Sequence, residues 1–521
     1  MSASHVISHV SEPQLVRLAE EIAFAARPGD VIALSGALGA GKTTLARALI
    51  GALQGGAREE IPSPTFTLVQ TYATPRMAVA HFDLYRLEDP SEFEELGLDH
   101  ALQHGLALIE WPERVHQALP DNRLEVLLED EGDRTAAVES GTRRITLTGH
   151  GDWGIRLERL VAMHAMIRDA GMGSSEACAL RYLQGDASVR RYARLTCSHR
   201  PGAIIMDWPP QPDGPPIRGQ LPYSRIAHLA ENMRPFVAIA NALRAAGLSA
   251  PEIYAQDLDR GLLLLEDLGD RIFGREVETG ASDQAELWRT ATDVLVALRE
   301  APPVERLPLA DGTSHRLPGY DHGAFGIEVE LLIDWYWPAT LGTTVPDDAR
   351  AEFAALWKVI FDRLCAQPAG WVLRDYHSPN LVWLPDRKGI ARVGIIDFQD
   401  AMRGPPAYDL VSLLQDARID IAPDLEAYLL DHYCAHVTAR QTGFDRDAFT
   451  FAYAALGAQR STKILGIFAR LAQRDGKPSY LRHIPRIWRY LERDLAHREL
   501  GALRDWYDRH MPVNIRQRKL A

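Results

Sequence analysis

The feature that most constrains this chain is a phosphate-binding motif at residues 36–43. Gly36-Ala37-Leu38-Gly39-Ala40-Gly41-Lys42-Thr43 fits the pattern G-x-x-x-x-G-K-[ST]. An apolar run at 31–35 precedes it and a helical pattern at 44–53 follows, which predicts a buried parallel strand, a loop and a helix. Because backbone N–H groups of such loops surround phosphates, we expect a nucleotide to contact Gly36, Gly39, Ala40, Gly41, Lys42, Thr43 and Thr44. The alternative is a glycine-rich turn without a ligand.

A site of this kind needs more than the loop itself. Lys42 is expected to reach the β- and γ-phosphates of ATP, and Thr43 is expected to bind Mg²⁺. Two apolar segments end in a carboxylate, Asp83 and Glu110. The carboxyl ends of parallel strands face the crevice where ligands bind, so each is a candidate for the metal site, and the alternative is a solvated acid at a strand end.

Four motifs in order resemble the TsaE (YjeE) family, the ATPase subunits of the bacterial tRNA threonylcarbamoyladenosine machinery. They are GALGAGKTT, SPTF at 63–66, HFDLYR at 81–86 and IEWP at 109–112, and the resemblance covers about residues 5–150. It implies Thr43 and Asp83 at Mg²⁺ and Thr65 in a nucleotide-sensing loop. It also implies that Glu110 and Trp111 are needed for ATP hydrolysis, and that the partner is a TsaB–TsaD pair.

The second half of the chain has the spacing of a kinase catalytic loop. Asp375 and Asn380 stand in LRDYHSPN, and Asp397 ends an apolar run seventeen residues after Asn380. In phosphoryl transfer one aspartate accepts the hydroxyl proton, while an asparagine and a second aspartate hold Mg²⁺. Asp375 is therefore the expected base, with Asn380 and Asp397 as metal ligands. The alternative is a chance match of spacing.

Three further segments fit a kinase but are weak alone. The turn GDASVRRY at 185–192 stands where a phosphate-covering hairpin is expected, with Ser188 and Arg190 as nucleotide contacts, or it is an ordinary turn. The run LLLLEDLG at 262–269 predicts a hinge strand whose backbone reads adenine at Glu266 and Leu268. The segment GPPAYDL at 404–410 predicts a helix that braces the loop, with a structural aspartate.

Residues 175–500 resemble the aminoglycoside phosphotransferase (choline-kinase-like) superfamily. LRDYHSPNL, IIDFQDA and GDASVRRY are most similar to the AmgK-type anomeric kinases of N-acetylmuramate and N-acetylglucosamine in cell-wall recycling. Two positions depart from the pattern. Leu373 replaces the usual histidine, and no lysine lies between Lys42 and Lys358, so an arginine (190, 191 or 194) substitutes for the N-lobe lysine, or backbone and metal suffice.

The sequence thus predicts an α/β P-loop NTPase domain at 1–150 followed by a bilobal α+β protein-kinase-like (aminoglycoside phosphotransferase) domain at 151–521. The predicted function is bifunctional: an ATPase supporting tRNA modification and an amino-sugar kinase, both using ATP and Mg²⁺. The alternatives for the second domain are another small alcohol or antibiotic as acceptor, or a pseudokinase scaffold. The aromatic run at 335–337 stacks on a sugar or belongs to the core, and His377 contacts substrate or shapes the loop.

Composition excludes several other classes. No run of 18 apolar residues occurs, and the N-terminus has no basic segment followed by an apolar one, so we expect a cytoplasmic protein without a membrane span. Residues 1–150 carry 12 lysines and arginines against 22 aspartates and glutamates, which argues against direct nucleic-acid binding there. The four cysteines form no C-x-x-C and argue against a disulfide framework, and the other histidines show no metal-binding spacing.

Overall fold

The computed structural model describes residues 3–55, 61–131, 141–172, 178–183, 190–518 and 520. Its strands are β1 (Ala3–Val10), β2 (Val31–Gly36), β3 (Val69–Tyr72), β4 (Ala78–Asp83), β5 (Gly105–Glu110), β6 (Arg123–Asp130), β7 (Arg143–Gly149), β8 (Cys178–Leu183), β9 (Arg191–Cys197), β10 (Ala203–Asp207), β11 (Pro216–Arg218), β12 (Leu221–Pro222), β13 (Ile253–Asp257), β14 (Leu262–Glu266), β15 (Arg306–Pro308), β16 (Ser314–Arg316), β17 (Gly370–Val372), β18 (Leu381–Trp383), β19 (Val393–Ile395) and β20 (Met402–Gly404).

The α-helices are α1 (Glu12–Ala25), α2 (Lys42–Leu53), α3 (Glu92–Glu95), α4 (Leu98–His104), α5 (Asp152–Asp169), α6 (Tyr223–Ile226), α7 (Arg234–Ala245), α8 (Phe273–Glu278), α9 (Gln284–Glu300), α10 (His322–Leu331), α11 (Trp337–Leu341), α12 (Asp347–Cys365), α13 (Ala407–Leu414), α14 (Pro423–Arg440), α15 (Arg446–Arg474), α16 (Ile484–Leu495), α17 (Gly501–His510) and α18 (Val513–Arg516). Short 3₁₀ segments cover Pro112–Ala118, Ser378–Asn380, Gly389–Arg392, Pro478–His483 and Arg498–Leu500, and a π-helical turn covers Leu332–Tyr336. None of the helices in these described ranges has the length and apolar character that crossing a bilayer requires.

The chain packs as two compact units. The first contains Met1–Pro209 and Ile253–Asp267, and the second contains Pro210–Glu252 and Leu268–Ala521. The first unit is built on two sheets, whereas the second is mostly helical.

A mixed seven-stranded sheet with the order β1-β7-β6-β2-β5-β4-β3 forms the first half of unit one. Strand β2 runs parallel to both β5 and β6, and β4 runs parallel to β5. Val31 and Ala33 of β2 pack into one hydrophobic core, while Ile32 and Leu34 pack into the other. Burial on both faces explains why this strand reads as an unbroken apolar run, and the predicted buried parallel strand is confirmed.

A five-stranded antiparallel sheet with the order β13-β14-β10-β9-β8 completes unit one. The expected buried strand at 262–265 is its strand β14, which pairs with β10 on one side and β13 on the other. Strands β8 and β9 place Cys178 directly opposite Cys197, and the two form a disulfide. The expectation of no disulfide is wrong for this pair, because only strand pairing brings together cysteines that lie 19 positions apart.

Packing does not break at residue 150. Helix α5 buries Trp153, Leu157 and Leu160 in the same core that receives Leu180 and Leu195 from the five-stranded sheet. At its start, both guanidinium nitrogens of Arg156 donate to the Asp30 carboxylate, at 2.7 and 2.6 Å. The predicted domain ranges 1–150 and 151–521 differ from the bounds of the two compact units. These ranges stay a prediction.

Unit two is organised around α15, whose buried face contacts α10, α13 and α16. The chain also forms two short antiparallel pairs, β17–β20 and β18–β19, of which β17 and β19 contact α9 and β18 contacts α8. The loop from residue 373 to 380 connects β17 to β18, and β19 leads directly to Asp397. The β17–β20 pair and the β18–β19 hairpin therefore hold the two ends of the expected catalytic segment.

We predict that a fragment ending at residue 172 is more stable than one ending at residue 150. The shorter fragment lacks α5 and exposes the apolar surfaces of β1, β7 and α1 that this helix contacts. Since burial of large apolar side chains contributes about 1.5–3 kcal/mol each, the melting temperature of residues 1–172 should be several degrees higher. Circular dichroism melts of the two fragments measure the difference.

Two substitutions in the longer fragment provide a matched control on one helix. Leu157 is 1% exposed and Ile155 is 73% exposed. We expect Leu157→Ala to cost about 2–5 kcal/mol and Ile155→Ala to cost about 0.5 kcal/mol or less. Equal melting temperatures for the two fragments would contradict the packing of α5 against β1, β7 and α1.

Candidate active sites

The phosphate loop lies between β2 and α2, as its spacing predicts. Gly36 has φ +140°, and a Cβ there would lie 2.3 Å from the Leu128 carbonyl oxygen. Gly41 has φ +106° and caps α2, and a Cβ there would approach the Arg143 side chain at 3.1 Å. Only glycine satisfies both positions, because a side chain needs space and a negative φ that neither offers. Arg143 also donates from Nε to the Ala40 carbonyl at 2.8 Å.

Lys42 occupies the centre of this loop. Its Nζ donates to the carbonyl oxygens of Gly36 at 2.8 Å and Ala37 at 2.9 Å, and it lies 3.6 Å from the centre of the Trp111 ring. Burial lowers the pKa of Lys42, while the negative charges of Glu110, Glu113 and Asp83 oppose that shift. The ammonium group is thus held by weak acceptors and a ring face, which an anionic phosphate can replace.

Glu110 connects the loop to the adjacent strand. Its two carboxylate oxygens contact the Thr43 hydroxyl at 2.9 Å and His81 Nε2 at 2.9 Å. The contact to Thr43 places a carboxylate beside the expected metal-binding hydroxyl. His81 is fully buried, and its Nδ1 has no hydrogen-bond partner among the described residues.

Asp83 lies directly opposite Glu110 across the parallel pair of β4 and β5. Its Oδ2 accepts from the hydroxyls of Ser63 at 2.8 Å and Thr65 at 2.7 Å, and its Oδ1 accepts from the Tyr85 N–H at 3.1 Å. The segment at 63–65 therefore depends on Asp83 for its position. A change at Asp83, an expected metal ligand, would therefore move the expected sensing loop.

The predicted residues of the first site converge. The phosphate loop with Thr43 and Thr44, the two strand-end carboxylates, Thr65 and Trp111 lie at one end of the seven-stranded sheet. Their functional roles stay predictions. Sequence reasoning missed His81 and Ser63 as members of the site. Both stood within the recognised motifs, and the available signal was a polar residue inside a buried strand for His81.

The second site is the segment from Leu373 to Asn380. Arg374 has a left-handed φ of +67°, which turns the chain sharply before Asp375. Asn380 Nδ2 donates to the backbone oxygen of Asp375 at 3.0 Å and approaches Asp397 Oδ2 at 3.5 Å. Gln399 Nε2 donates to Asp397 Oδ1 at 3.1 Å. The three predicted residues therefore lie together, and their roles stay predictions.

Asp375 is surrounded by positive charge. Burial raises the pKa of its carboxyl, but His377, Lys463 and Arg374 lower that pKa by more, so the net shift is downward. One of these groups, His377, places its Nε2 3.7 Å from Asp375 Oδ1. Asp375 consequently stays ionised near neutral pH, as a proton acceptor must be.

A buried cluster of charged and polar side chains around Glu328 contacts this segment at Arg374. The Glu328 carboxylate contacts the Arg374 guanidinium and the Tyr320 hydroxyl, and it accepts from Gln459 Nε2 at 2.8 Å. Lys463 Nζ lies 3.3 Å from the same carboxylate. Burial opposes ionisation of Glu328, yet Lys463 and Arg374 lower its pKa to about 2. Sequence reasoning missed this cluster because its members come from two helices and two loop segments that lie far apart in the sequence.

Asp409 braces the loop through the backbone, as expected for a structural residue. Its carboxylate accepts from the N–H groups of Leu373 at 2.6 Å and Arg374 at 3.0 Å. Burial raises the pKa of Asp409 to about 7, although these two donors favour its charged form. Leu373 stands where a histidine is usual. Because its hydrogen bond to Asp409 is donated by the backbone N–H, that contact does not depend on which side chain is present.

The weaker predictions have mixed outcomes. Ser188 lies outside the described residues. The guanidinium of Arg190 lies 5.1 Å from the centre of the Trp208 ring, while Arg191 pairs with Asp207 and Arg194 pairs with Asp267. The nucleotide roles of Ser188 and Arg190 remain predictions.

The hinge residues follow the expected backbone. Glu266 ends β14 and is half-buried. Leu268 is buried, and its side chain lies within 3.0 Å of where a Cβ on Gly394 would stand. Adenine recognition at either residue stays a prediction.

The aromatic run at 335–337 belongs mainly to the core. Tyr336 and Trp337 are buried, and the Tyr336 hydroxyl accepts from Trp488 Nε1 at 2.8 Å. This favours packing over sugar stacking. His377 is buried, and its Nδ1 has no hydrogen-bond partner among the described residues. Whether it contacts substrate or shapes the loop stays a prediction.

Comparison with protein families separates the two halves. The family model described as "Threonylcarbamoyl adenosine biosynthesis protein TsaE" matches residues 9–138. The model described as "Phosphotransferase enzyme family" matches residues 179–449. Both geometries described above lie within or beside the matched ranges, so the loop at 36–43 and the segment at 373–397 are each placed in a family of known chemistry.

Individual relatives agree. An N-acetylmuramate/N-acetylglucosamine kinase of Caulobacter vibrioides is 42% identical over 369 residues, covering 69% of this chain and 99% of that protein. A kinase of the same description from Pseudomonas putida is 34% identical over 67% of this chain and 96% of that protein. The tRNA threonylcarbamoyladenosine biosynthesis protein TsaE of Rickettsia felis is 40% identical over 26% of this chain and 81% of that protein.

We predict that Glu328→Gln destabilises the second unit in a pH-dependent way. Loss of the carboxylate leaves Arg374 and Lys463 as uncompensated buried cations, which costs about 3–5 kcal/mol near neutral pH. Because the folded-state pKa of about 2 lies below the ordinary value of 4.5, the carboxylate stabilises the fold above pH 4.5. That stabilisation is lost as pH falls toward 2.

Urea unfolding of the wild type and the variant at a series of pH values measures the difference. The gap in unfolding free energy should shrink as pH falls below 4.5. Glu330→Gln is the matched control on the same helix, since Glu330 pairs with Arg218 at the surface and such pairs contribute about 1 kcal/mol or less. A gap that does not change with pH would refute the assignment.

Proposed function

Because the chain belongs to the TsaE family in its N-terminal part and to the phosphotransferase enzyme family in its C-terminal part, we propose that it is a bifunctional enzyme that uses ATP at two separate sites. The relatives of its C-terminal part are N-acetylmuramate/N-acetylglucosamine kinases. The first site hydrolyses ATP in support of tRNA N6-threonylcarbamoyladenosine formation. The second transfers a phosphoryl group to the anomeric hydroxyl of N-acetylmuramate or N-acetylglucosamine. The observation that carries the proposal is the presence of two separate groups of side chains suited to phosphate and Mg²⁺, one in each unit.

The first activity follows from the arrangement around Lys42. On ATP binding, its ammonium group exchanges the loop carbonyls for β- and γ-phosphate oxygens, and the Trp111 ring covers it. The Thr43 hydroxyl, Glu110 and Asp83 form a set of oxygen donors suited to Mg²⁺. When bound, Mg²⁺ would neutralise the charge that develops on the phosphates.

The partner of the first site is a protein surface. The TsaE resemblance points to a TsaB–TsaD pair, and residues 1–150 carry a net negative charge, which disfavours direct contact with tRNA phosphates. Exposed apolar side chains flank the loop, with Leu38 78% exposed and Phe66 82% exposed. Docking through this face, in the cytoplasm where ATP is available, would make ATP hydrolysis depend on the partner.

The second activity follows from Asp375. Its ionised carboxylate accepts the proton of the anomeric hydroxyl while the sugar oxygen bonds to the γ-phosphorus of ATP. The bond between that phosphorus and the β–γ bridging oxygen breaks, and ADP leaves. Asn380 and Asp397 would provide the oxygen ligands for Mg²⁺, since the Asn380 side-chain amide lies beside the Asp397 carboxylate. Arg374, held by Glu328, fixes the loop during transfer.

We predict that Asp375→Asn lowers kcat for sugar phosphorylation by about 10²–10⁴-fold and spares ATP binding. The change removes a proton acceptor but leaves the metal ligands in place. The measurement is sugar-1-phosphate formation by the full chain from labelled ATP, with N-acetylmuramate and N-acetylglucosamine as acceptors. Lys42→Ala is the control, because it alters only the other ATP site.

The outcomes separate the alternatives. If Asp375→Asn retains a near-normal kcat, the catalytic role of this loop is wrong. If the wild type phosphorylates neither sugar but phosphorylates another alcohol or an antibiotic, the fold assignment stands and the substrate assignment falls. If the wild type phosphorylates no acceptor and its second site binds no ATP, the second part is a pseudokinase.

We predict that Lys42→Ala abolishes tight ATP binding at the first site and leaves sugar phosphorylation nearly unchanged. Glu110→Gln should instead reduce ATP hydrolysis more than ATP binding, because it disturbs the Thr43 hydroxyl rather than the phosphate cradle. ATP hydrolysis by both variants is measured in the full chain with Asp375→Asn as the background and with the TsaB–TsaD pair present. Sugar phosphorylation by Lys42→Ala is measured in the chain that retains Asp375. Normal hydrolysis by Lys42→Ala in that background would refute the first site.

A further inference from the structure

Two histidines and an aspartate form a cluster far along the chain from both ATP sites. His432 and His436 lie on α14, and Asp293 lies on α9. One potential ligand atom of each lies within 4.8 Å of the others. His432 Nε2 is 2.7 Å from Asp293 Oδ1, and the two imidazole rings are 4.2 Å apart between centres.

The spacing of the histidines explains the convergence. Residues four apart on a helix lie on the same face, one turn above the other. The expectation that these histidines show no metal-binding spacing is therefore wrong for His432 and His436, whose i, i+4 relation was present in the sequence. What the sequence did not show is the third side chain, since Asp293 lies 139 positions from His432.

The two helices are also joined by polar contacts on the C-terminal side of the cluster. Beyond His436 along α14, Arg440 pairs with Glu300 of α9 at 3.4 Å. Arg299 of α9 also donates to Gln441 at 2.9 Å. His436 thus lies between the His432–Asp293 contact and the Arg440–Glu300 contact, which together set the register of α9 and α14. Ala297 lies one turn beyond Asp293 on α9, and its side chain is short.

Donor chemistry identifies the ligand class. Two imidazole nitrogens with one carboxylate oxygen suit borderline cations such as Zn²⁺, whereas Mg²⁺ prefers oxygen ligands and several waters. Zn²⁺ binds nitrogen and carboxylate oxygen at about 2.0–2.2 Å, so its ligand atoms lie about 3.3 Å apart in a tetrahedral site. Small side-chain rotations bring the cluster from its present spacing to that geometry.

We propose that Asp293, His432 and His436 form a binding site for a divalent transition metal of the Zn²⁺ type, with three protein ligands and a fourth position open to solvent. His436 is exposed, so the ion enters from the surface without unfolding. In the parts of the chain that the structure describes, no other group of three such side chains meets the same distance criterion. The site is independent of either proposed activity.

The position on α9 gives the ion a structural consequence. Two residues before Asp293, the Ala291 carbonyl accepts the Tyr376 hydroxyl at 2.9 Å. Tyr376 lies within the segment that carries Asp375. An ion bound to both α9 and α14 therefore stabilises the helix against which this segment is anchored, and it should raise the melting temperature of the second unit.

The chain contains a matched control for the histidine pair. His100 and His104 also stand at i, i+4, on α4, with ring centres 5.1 Å apart. They belong to no three-residue cluster among the described residues. His104→Ala removes an exposed helical histidine from a pair without a carboxylate, and His436→Ala removes one from a pair that has it.

The experiment titrates Zn²⁺ into the full chain with excess Mg²⁺ present, followed by calorimetry and by the visible absorption of Co²⁺ as a substitute ion. Cys365→Ser is the background, because that exposed thiol lies 3.8 Å from His322 Nδ1 and would compete for the metal. His436→Ala should weaken affinity by more than the roughly 10–100-fold that losing an outer-shell partner costs. Asp293→Asn should also weaken it, and His104→Ala should not.

Thermal melts provide the second readout. Zn²⁺ should raise the melting temperature of the background protein and of His104→Ala, but not of His436→Ala. The proposal is overturned if the background binds no Zn²⁺ or if His104→Ala loses as much affinity as His436→Ala. It is also overturned if Asp293→Asn binds as tightly as the background, since the carboxylate would then be no ligand. No readout uses activity, so failure here leaves the proposed function untouched.

Discussion

A buried carboxylate must be surrounded by donors, and Glu328 shows how much of a catalytic segment can depend on that requirement. Its charge is stabilised by Arg374, Lys463, Tyr320 and Gln459. The same Arg374 immediately precedes Asp375 and adopts a left-handed backbone conformation. The stable charge of Glu328 thus determines where the chain turns, and the turn determines where the expected base points.

Glu110 has the corresponding role in the first unit. It is buried at the end of a central parallel strand and contacts both Thr43 and His81. In each unit a buried acid contacts the expected active site directly. Glu110 contacts Thr43 of the phosphate loop, and Glu328 contacts Arg374, the residue before Asp375. The acids come from different elements, a strand in one unit and a helix in the other, so the similarity is physical and not topological.

The local parts of both sites could be predicted from the sequence, and the long-range parts could not. The loop at 36–43 and the Asp375–Asn380–Asp397 spacing depend on neighbours in the chain, so motifs suffice to find them. Cys178–Cys197, Glu328–Arg374 and Asp293–His432 depend on strand pairing or helix packing across 19 to 139 positions. A spacing pattern contains no information about such contacts, and the missed i, i+4 histidine pair was readable but lacked its third partner.

The hydrophobic core shared by α5 and the strands of the five-stranded sheet has a consequence for how the two activities survive stress. Leu157 and Leu195 belong to the same hydrophobic cluster as Ala40 of the phosphate loop. Heat or mutation that loosens this cluster would disorder the strands of the kinase-like part and the loop of the ATPase part in one cooperative event. The cell would then lose tRNA-modification support and amino-sugar phosphorylation at the same temperature. In the fused chain the amounts of the two active sites would therefore fall together.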